Sequence, residues 1–243
     1  MKKAILAVSF GTTYAQAERE CIRPVEEALA EAWPDWQVRR AYTAHIVIRR
    51  LRERGERINT VEEALEQLKQ EGFEKIVLAS THIIPGEEYD SLCRAAEGLP
   101  VSEALLTSEE DLHWIAGLMR QIARREGRPV LFMGHGTDHA ADETYVRLRA
   151  MLPENVYLAC VEGSHRLEGI LPQLEQLPGK ELTLTPLMLV AGDHAHNDLA
   201  GDGDDSWKSI LERRGFTVHT RLRGLGAEAA VRQRFCEKVG KIL

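Results

Sequence analysis

Long apolar runs are missing from this 243-residue chain. A helix that crosses a bilayer needs about 20 consecutive apolar residues, and no stretch comes near that, so neither a membrane span nor a membrane partner is expected. The opening MKKAILAVSFGTTY has an apolar run of only Ala4–Val8, followed by polar Ser9 and Gly11–Thr13 with no small-residue cleavage site. It reads as a first buried strand, not as an export signal. An excess of basic charge is also missing. There are 31 Lys and Arg against 38 Asp and Glu, a formal net charge of −7, with both signs interspersed. A nucleic-acid binder would carry a basic face, so no nucleic-acid partner is expected. Cysteine is scarce: Cys21, Cys93, Cys160 and Cys236 stand far apart and form no CxxC pair. They read as isolated reduced thiols, not as a disulfide frame or a zinc knuckle.

What is present is enough for a sizeable core. Hydrophobic residues make up 44% of the chain, and the length allows one large domain or two lobes of roughly 120 residues each. Strand-like and helix-like segments alternate. Strands are expected near Ala4–Val8, Trp36–Tyr42 and Lys75–Thr81, with a weak fourth near Glu103–Leu106. Helices are expected over Ala15–Ala32 (with Pro24 as a kink), His45–Arg54, about 61–70 behind the capping box of Thr60 and Glu63, about Glu88–Ala96, and from the box of Ser108 and Asp111 to about Arg125. The pattern then restarts. Strands Pro129–Met133, Val156–Cys160, Leu182–Val190 and Thr217–Arg221 are separated by helices Ala140–Met151, Leu167–Gln176 and Ser206–Arg213, and Ala227–Ile242 closes the chain. Val8–Thr13 aligns with Met133–Asp138, and Ile83–Glu88 with Leu189–His194. The expected fold class is therefore α/β: two similar lobes, 1–125 and 126–243, each with a mainly parallel sheet flanked by helices, related by a pseudo-twofold with a cleft between them.

Chemistry concentrates in the second half. Met188–Trp207, MLVAGDHAHNDLAGDGDDSW, places His194, His196 and five aspartates behind an apolar strand. Strand ends that open into such loops are where α/β proteins place ligands. If the sheet is parallel, GHG (His135), VEG (Glu162) and GDHA (His194) arrive at one edge. Two imidazoles and a carboxylate suit a divalent transition metal and leave coordination positions open. The plain alternatives are a turn histidine bonded to local backbone at His135 and a capping carboxylate at Glu162. The acidic run Asp202–Asp205 reads as a soluble loop, and Arg49, Arg50, Arg52 and Arg54 as a solvated helix face.

Taken together, MGHGTDH, VEGS and PLMLVAGDHAHNDLAGDGDDSW, with SFGTTY and THIIPGEEY earlier, resemble the anaerobic sirohydrochlorin cobaltochelatases, the CbiK-type class II chelatases. The likeness runs from Lys3 to about Trp207. It implies insertion of Co²⁺ into sirohydrochlorin on the oxygen-independent route to cobalamin. It implies His135, Glu162 and His194 as metal ligands and catalytic residues; His196 is off the family's ligand position. Cobalt is then a substrate, and no organic cofactor is expected. Phe10 stands where the repeat has His135, which implies one metal site, with the first lobe gripping the tetrapyrrole. Ser9, Phe10, Gly11, Thr12 and His82 are candidates for its wall, with Glu87 and Glu88 near the rim. The sequence carries no export signal, so a cytoplasmic form is implied. Iron or nickel insertion and a non-catalytic two-lobed carrier are the competing readings, and a homo-oligomer is left open.

Overall fold

The computed structural model describes residues Met1–Leu243. Its first elements are β1 (Lys3–Ser9), α1 (Arg23–Ala32), β2 (Gln37–Tyr42), α2 (His45–Glu53), α3 (Val61–Gln70), β3 (Lys75–Ser80) and α4 (Glu87–Ala95). Then come α5 (Glu109–Glu126), β4 (Val130–Gly134), α6 (Glu143–Ala150), β5 (Val156–Cys160), β6 (Glu181–Pro186), α7 (Trp207–Arg213), β7 (Thr217–Thr220) and α8 (Ala229–Gly240). No helix is long and apolar enough to cross a membrane.

Two parallel sheets result, ordered β2-β1-β3 and β5-β4-β6-β7. The central strands β1 and β4 are buried almost end to end, which is why they read as continuous apolar runs: a parallel strand with both faces covered has no polar side. The order of the first sheet recurs in the first three strands of the second, so the repeat read from the sequence is a repeat of topology. One core joins Leu6, Val8, Leu65, Leu68, Leu78 and Leu92; another joins Leu131, Met133, Leu171, Leu184, Trp207 and Leu211.

The compact units do not follow a division at 125/126. One comprises Met1–Leu105 with Gly226–Leu243, the other Leu106–Leu225. Helix α5 packs against α6 and β5, whereas α8 packs against α1 and β3. The closing helix joins the first unit because Val231, Phe235 and Val239 form one apolar stripe. Its Lys238 Nζ also reaches Glu103, 3.3 Å away.

Three local expectations need correction. No strand forms at Glu103–Leu106. Leu78 makes a single bridge to Val101, and the Ser80 amide then bonds to the Ser102 hydroxyl at 3.0 Å instead of to a carbonyl, so the ladder stops. Strand β6 ends at Pro186, not Val190; the last bond is from the Leu187 amide to the Met133 carbonyl. The segment Ala15–Ala32 is helical but not uniform: a π turn at Glu18–Ile22 precedes α1. Pro24 lies in the first turn of α1, where its missing N–H costs little.

Arg40 on β2 ties that π turn to α1. Its guanidinium donates to both Glu26 carboxylate oxygens and to Glu18 Oε1, each at 2.6 Å. Burial pushes the Glu26 carboxyl up; in Glu18 the neighbouring Arg40 and Arg23 outweigh burial and hold it low. Removing the cation strands two partly buried carboxylates. Arg40→Leu is therefore expected to destabilise the protein by about 3 kcal/mol in chemical denaturation, with part recovered by adding Glu26→Gln. A loss under about 0.5 kcal/mol, the range of ordinary surface changes, would show the cluster to be solvated.

Candidate metal and proton-transfer site

The second unit brings His135, Glu162 and His194 into one neighbourhood. The ladder between β4 and β5 continues one step past both strands. The Val161 amide donates to the Gly134 carbonyl at 3.1 Å, and the Glu162 amide to the His135 carbonyl at 2.8 Å. The two functional residues are thereby held as neighbours in a parallel pair. Gly136 makes this approach available: its φ is +77°, and a Cβ there would lie 2.0 Å from the Glu162 carbonyl oxygen. No other residue fits that place.

His194 arrives differently. Past Pro186 the chain runs buried but irregular through Leu187–Ala191, then turns into a short helical segment whose π turn spans Ala195–Leu199. The His194 and His135 rings meet edge to face, centroids 4.8 Å apart. Glu162 Oε2 lies 3.9 Å from His135 Nδ1, within electrostatic reach but beyond a hydrogen bond.

Hydrogen bonds define which ring nitrogens are available. His135 Nδ1 is 2.9 Å from the Gly136 carbonyl oxygen, and His194 Nδ1 is 2.6 Å from Asp198 Oδ2. Both partners are acceptors, so each Nδ1 carries a hydrogen, and in the neutral ring the lone pair is then on Nε2. That is the arrangement by which a backbone carbonyl or carboxylate fixes the tautomer of a ligating histidine. The turn bond at His135 is thus compatible with ligation. The side chains are 44%, 54% and 36% exposed for His135, Glu162 and His194, so ions and substrate have access. As they stand, no three His, Cys, Asp or Glu side chains close around a common point. Asp202 and Asp204 pair with Lys208 and Arg213, in keeping with a solvated loop.

The first unit repeats the frame without the ligands. The Thr43 amide donates to the Ser9 carbonyl at 2.9 Å and the Ala44 amide to the Phe10 carbonyl at 3.2 Å. Gly11 takes φ +99°. Phe10 therefore matches His135, and Ala44 matches Glu162. Phe10 is 44% exposed, so it is no core side chain. Ser9 and Thr12 are buried: Ser9 Oγ accepts from Thr81 at 2.8 Å and Thr12 Oγ1 from the Tyr14 amide at 3.1 Å. Glu87 and Glu88 lie in the first turn of α4. An open basin of about 740 Å³ lies beside α2, lined by His45, Ile46, Arg49 and Arg52 among others; none of the proposed ligands lines it.

His82 is buried beyond β3. Its Nδ1 pairs with Ser80 Oγ at 3.0 Å, and its Nε2 has no partner. Burial pushes its pKa down to about 4. The folded protein thus holds it neutral while the unfolded chain protonates it near 6.5. Stability contributed by neutral His82 is complete above about 6.5 and declines as pH falls toward 4. Between pH 7 and 4 the native protein should lose about 3 kcal/mol more than His82→Gln does, read as the difference in unfolding free energies at the two pH values. Parallel pH profiles for the two proteins would place His82 in contact with water.

Comparison with known proteins supplies the family. The family model for cobalt chelatase (CbiK) matches residues 3–243. A sirohydrochlorin cobaltochelatase of Salmonella typhimurium is 36% identical over 248 residues, covering 97% of this chain and 94% of that protein. The sirohydrochlorin cobaltochelatase CbiKC of Nitratidesulfovibrio vulgaris is 35% identical, covering 92% and 84%. Among solved structures, an arabinose-binding protein from Geobacillus stearothermophilus aligns with a TM-score of 0.42 at 12% identity, over 90% of this chain and 74% of that one, too distant to bear on function. A match of the family model along nearly the whole chain, two relatives above one-third identity and parallel α/β units of the expected kind lead to one conclusion: this chain is a member of the CbiK cobalt chelatase family.

Proposed function

We propose that the protein is a sirohydrochlorin cobaltochelatase and that His135, Glu162 and His194 handle the metal. Co²⁺ replaces two inner N–H protons of sirohydrochlorin, so the products are cobalt-sirohydrochlorin and two protons, a step that serves cobalamin formation. The observation that carries the site assignment is the meeting of His135 with His194 at 4.8 Å and with Glu162 at 3.9 Å in a member of this family.

The chemistry asks for a weak, open site. An ion that must be passed on cannot be enclosed, and three exposed side chains that do not form a closed cage meet that need. Each Nε2 lone pair can ligate the ion or accept a proton. The Glu162 carboxylate offsets the ion's charge as water leaves it. In the first unit, the exposed faces of Phe10 and Ile46 offer apolar surface to a macrocycle. Ser9, Gly11, Thr12 and His82 at the strand ends, with Glu87 and Glu88 in the first turn of α4, are proposed as its surroundings. Sirohydrochlorin is a polycarboxylate, and the exposed Arg49 and Arg50 beside Ile46 supply charge that the chain as a whole lacks.

The test mixes protein, sirohydrochlorin and Co²⁺ without oxygen and follows the visible spectrum. A chelatase turns over many equivalents; a carrier stops near one. Ni²⁺ and Fe²⁺ run in parallel rank the metals, which the Irving–Williams order alone does not decide. Alanine at His135, Glu162 or His194 should leave the fold intact, weaken Co²⁺ binding and bring insertion toward the uncatalysed rate, non-additively; His196→Ala should retain activity. A folded His194→Ala with normal turnover would remove that loop from the site.

The repeat gives a second test. Phe10→His should not create a second centre, because Ala44 stands where Glu162 would be required. The variant is expected to bind one Co²⁺ per chain with turnover no higher than wild type, by titration and assay; two ions with doubled turnover would show the halves to be equivalent.

A further inference from the structure

The loops that carry His135 and Glu162 are each tied to one helical segment, the 3₁₀ turn Ala140–Asp142 with α6 behind it. Asp142, Tyr145 and Arg149 are spaced i, i+3 and i+7 along it, which puts them on one face. Tyr145 is 2% exposed and lies under the GHG turn. The backbone N–H groups of Gly136 and His135 lie toward its hydroxyl oxygen. Its ring leaves no room above: a Cβ on Gly134 would come within 2.8 Å of it.

Asp142 holds the other loop. Its Oδ2 accepts from the Ser164 amide at 3.1 Å and from the Ser164 hydroxyl. Its Oδ1 is buried without a partner, lying where a Cβ on Gly163 would be 2.5 Å away. An unpaired buried carboxylate oxygen costs stability. Arg149 Nη1 donates to His165 Nδ1 at 3.2 Å, and the His165 carbonyl accepts from the Cys160 amide at 2.6 Å. The VEGSH loop is thus anchored on both sides of Glu162.

We propose that Asp142, Tyr145 and Arg149 are positioning residues that set the separation of His135 and Glu162 and thereby the geometry in which the metal is held. The helix face acts through the two loops and does not touch the ion. This rests on the reading of His135 and Glu162 as metal ligands. It goes further in assigning function to residues that present no side chain to the ion.

Tyr145→Phe keeps the ring and removes the oxygen that these two amides face. Asp142→Asn keeps shape and weakens the hold on Ser164. Ser164→Ala removes the hydroxyl alone. Each is compared with wild type, Glu143→Gln on the exposed side of the same helix, and His135→Ala. Folding is checked by cooperative melting. Second-shell changes at metal sites cost about 10- to 100-fold in affinity or activity. We therefore expect kcat to fall about 10-fold in Tyr145→Phe, KM for sirohydrochlorin to hold, and the visible spectrum of protein-bound Co²⁺ to change. In a His135→Ala background, Tyr145→Phe should add nothing to the loss of Co²⁺ affinity.

A folded Tyr145→Phe with wild-type kcat and an unchanged Co²⁺ spectrum would overturn the proposal. So would an undiminished effect on Co²⁺ affinity in the His135→Ala background. If Tyr145→Phe does not fold, Asp142→Asn and Ser164→Ala decide: wild-type kcat and Co²⁺ spectrum in both would overturn it. Normal turnover in His135→Ala would instead sink the ligand assignment itself, an outcome distinct from the others.

Discussion

The candidate site depends on a backbone ladder that outlasts its strands. Beyond β4 and β5 the amides of Val161 and Glu162 still find the carbonyls of Gly134 and His135. Two side chains of different chemistry are thereby held side by side by main-chain bonds, which fix position without depending on rotamers. The ladder survives the turn because Gly136 has no Cβ to collide with the Glu162 carbonyl. The side chains stay open to solvent while main-chain bonds hold the backbone beneath them.

The same ladder without ligands occurs in the first unit. Thr43 and Ala44 bond back to Ser9 and Phe10, and Gly11 takes the place of Gly136. One frame therefore appears twice with different contents: imidazole and carboxylate in one, phenyl and methyl in the other. The backbone hydrogen bonds belong to the fold, and the chemistry comes from what is mounted on them. Phe10 at a strand end is exposed and adds nothing to the core.

Much of this was legible in the chain itself. The capping boxes at Thr60/Glu63 and Ser108/Asp111 form as read, because such caps are local and satisfy the helix's own amides. The central strands could be placed because burial on both faces leaves an uninterrupted apolar run. His135, Glu162 and His194 could be named because parallel strands deliver their carboxyl ends to one edge. The end of β6 was misjudged: Leu187–Val190 is as apolar as a strand, and apolarity reports burial, not pairing. The strand expected at Glu103–Leu106 failed for the same reason. Ala104, Leu105 and Leu106 are fully buried but not in a sheet.

By itself the sequence determined the alternation of strands and helices, the repeat, the family and the placing of His135 and Glu162 at strand ends, since each follows from local pattern or from motifs contiguous in the chain. Only the tertiary structure decided which unit the flanking helices join, because α5 and α8 choose partners by the faces they bury and those partners are distant in sequence. Only it paired Ala44 with Phe10, since register is set by hydrogen bonds between strands. Only it placed Tyr145 and Asp142 beneath the two loops: a buried phenol and a carboxylate on a short helix carry no signal of what they hold until the chain has folded over them.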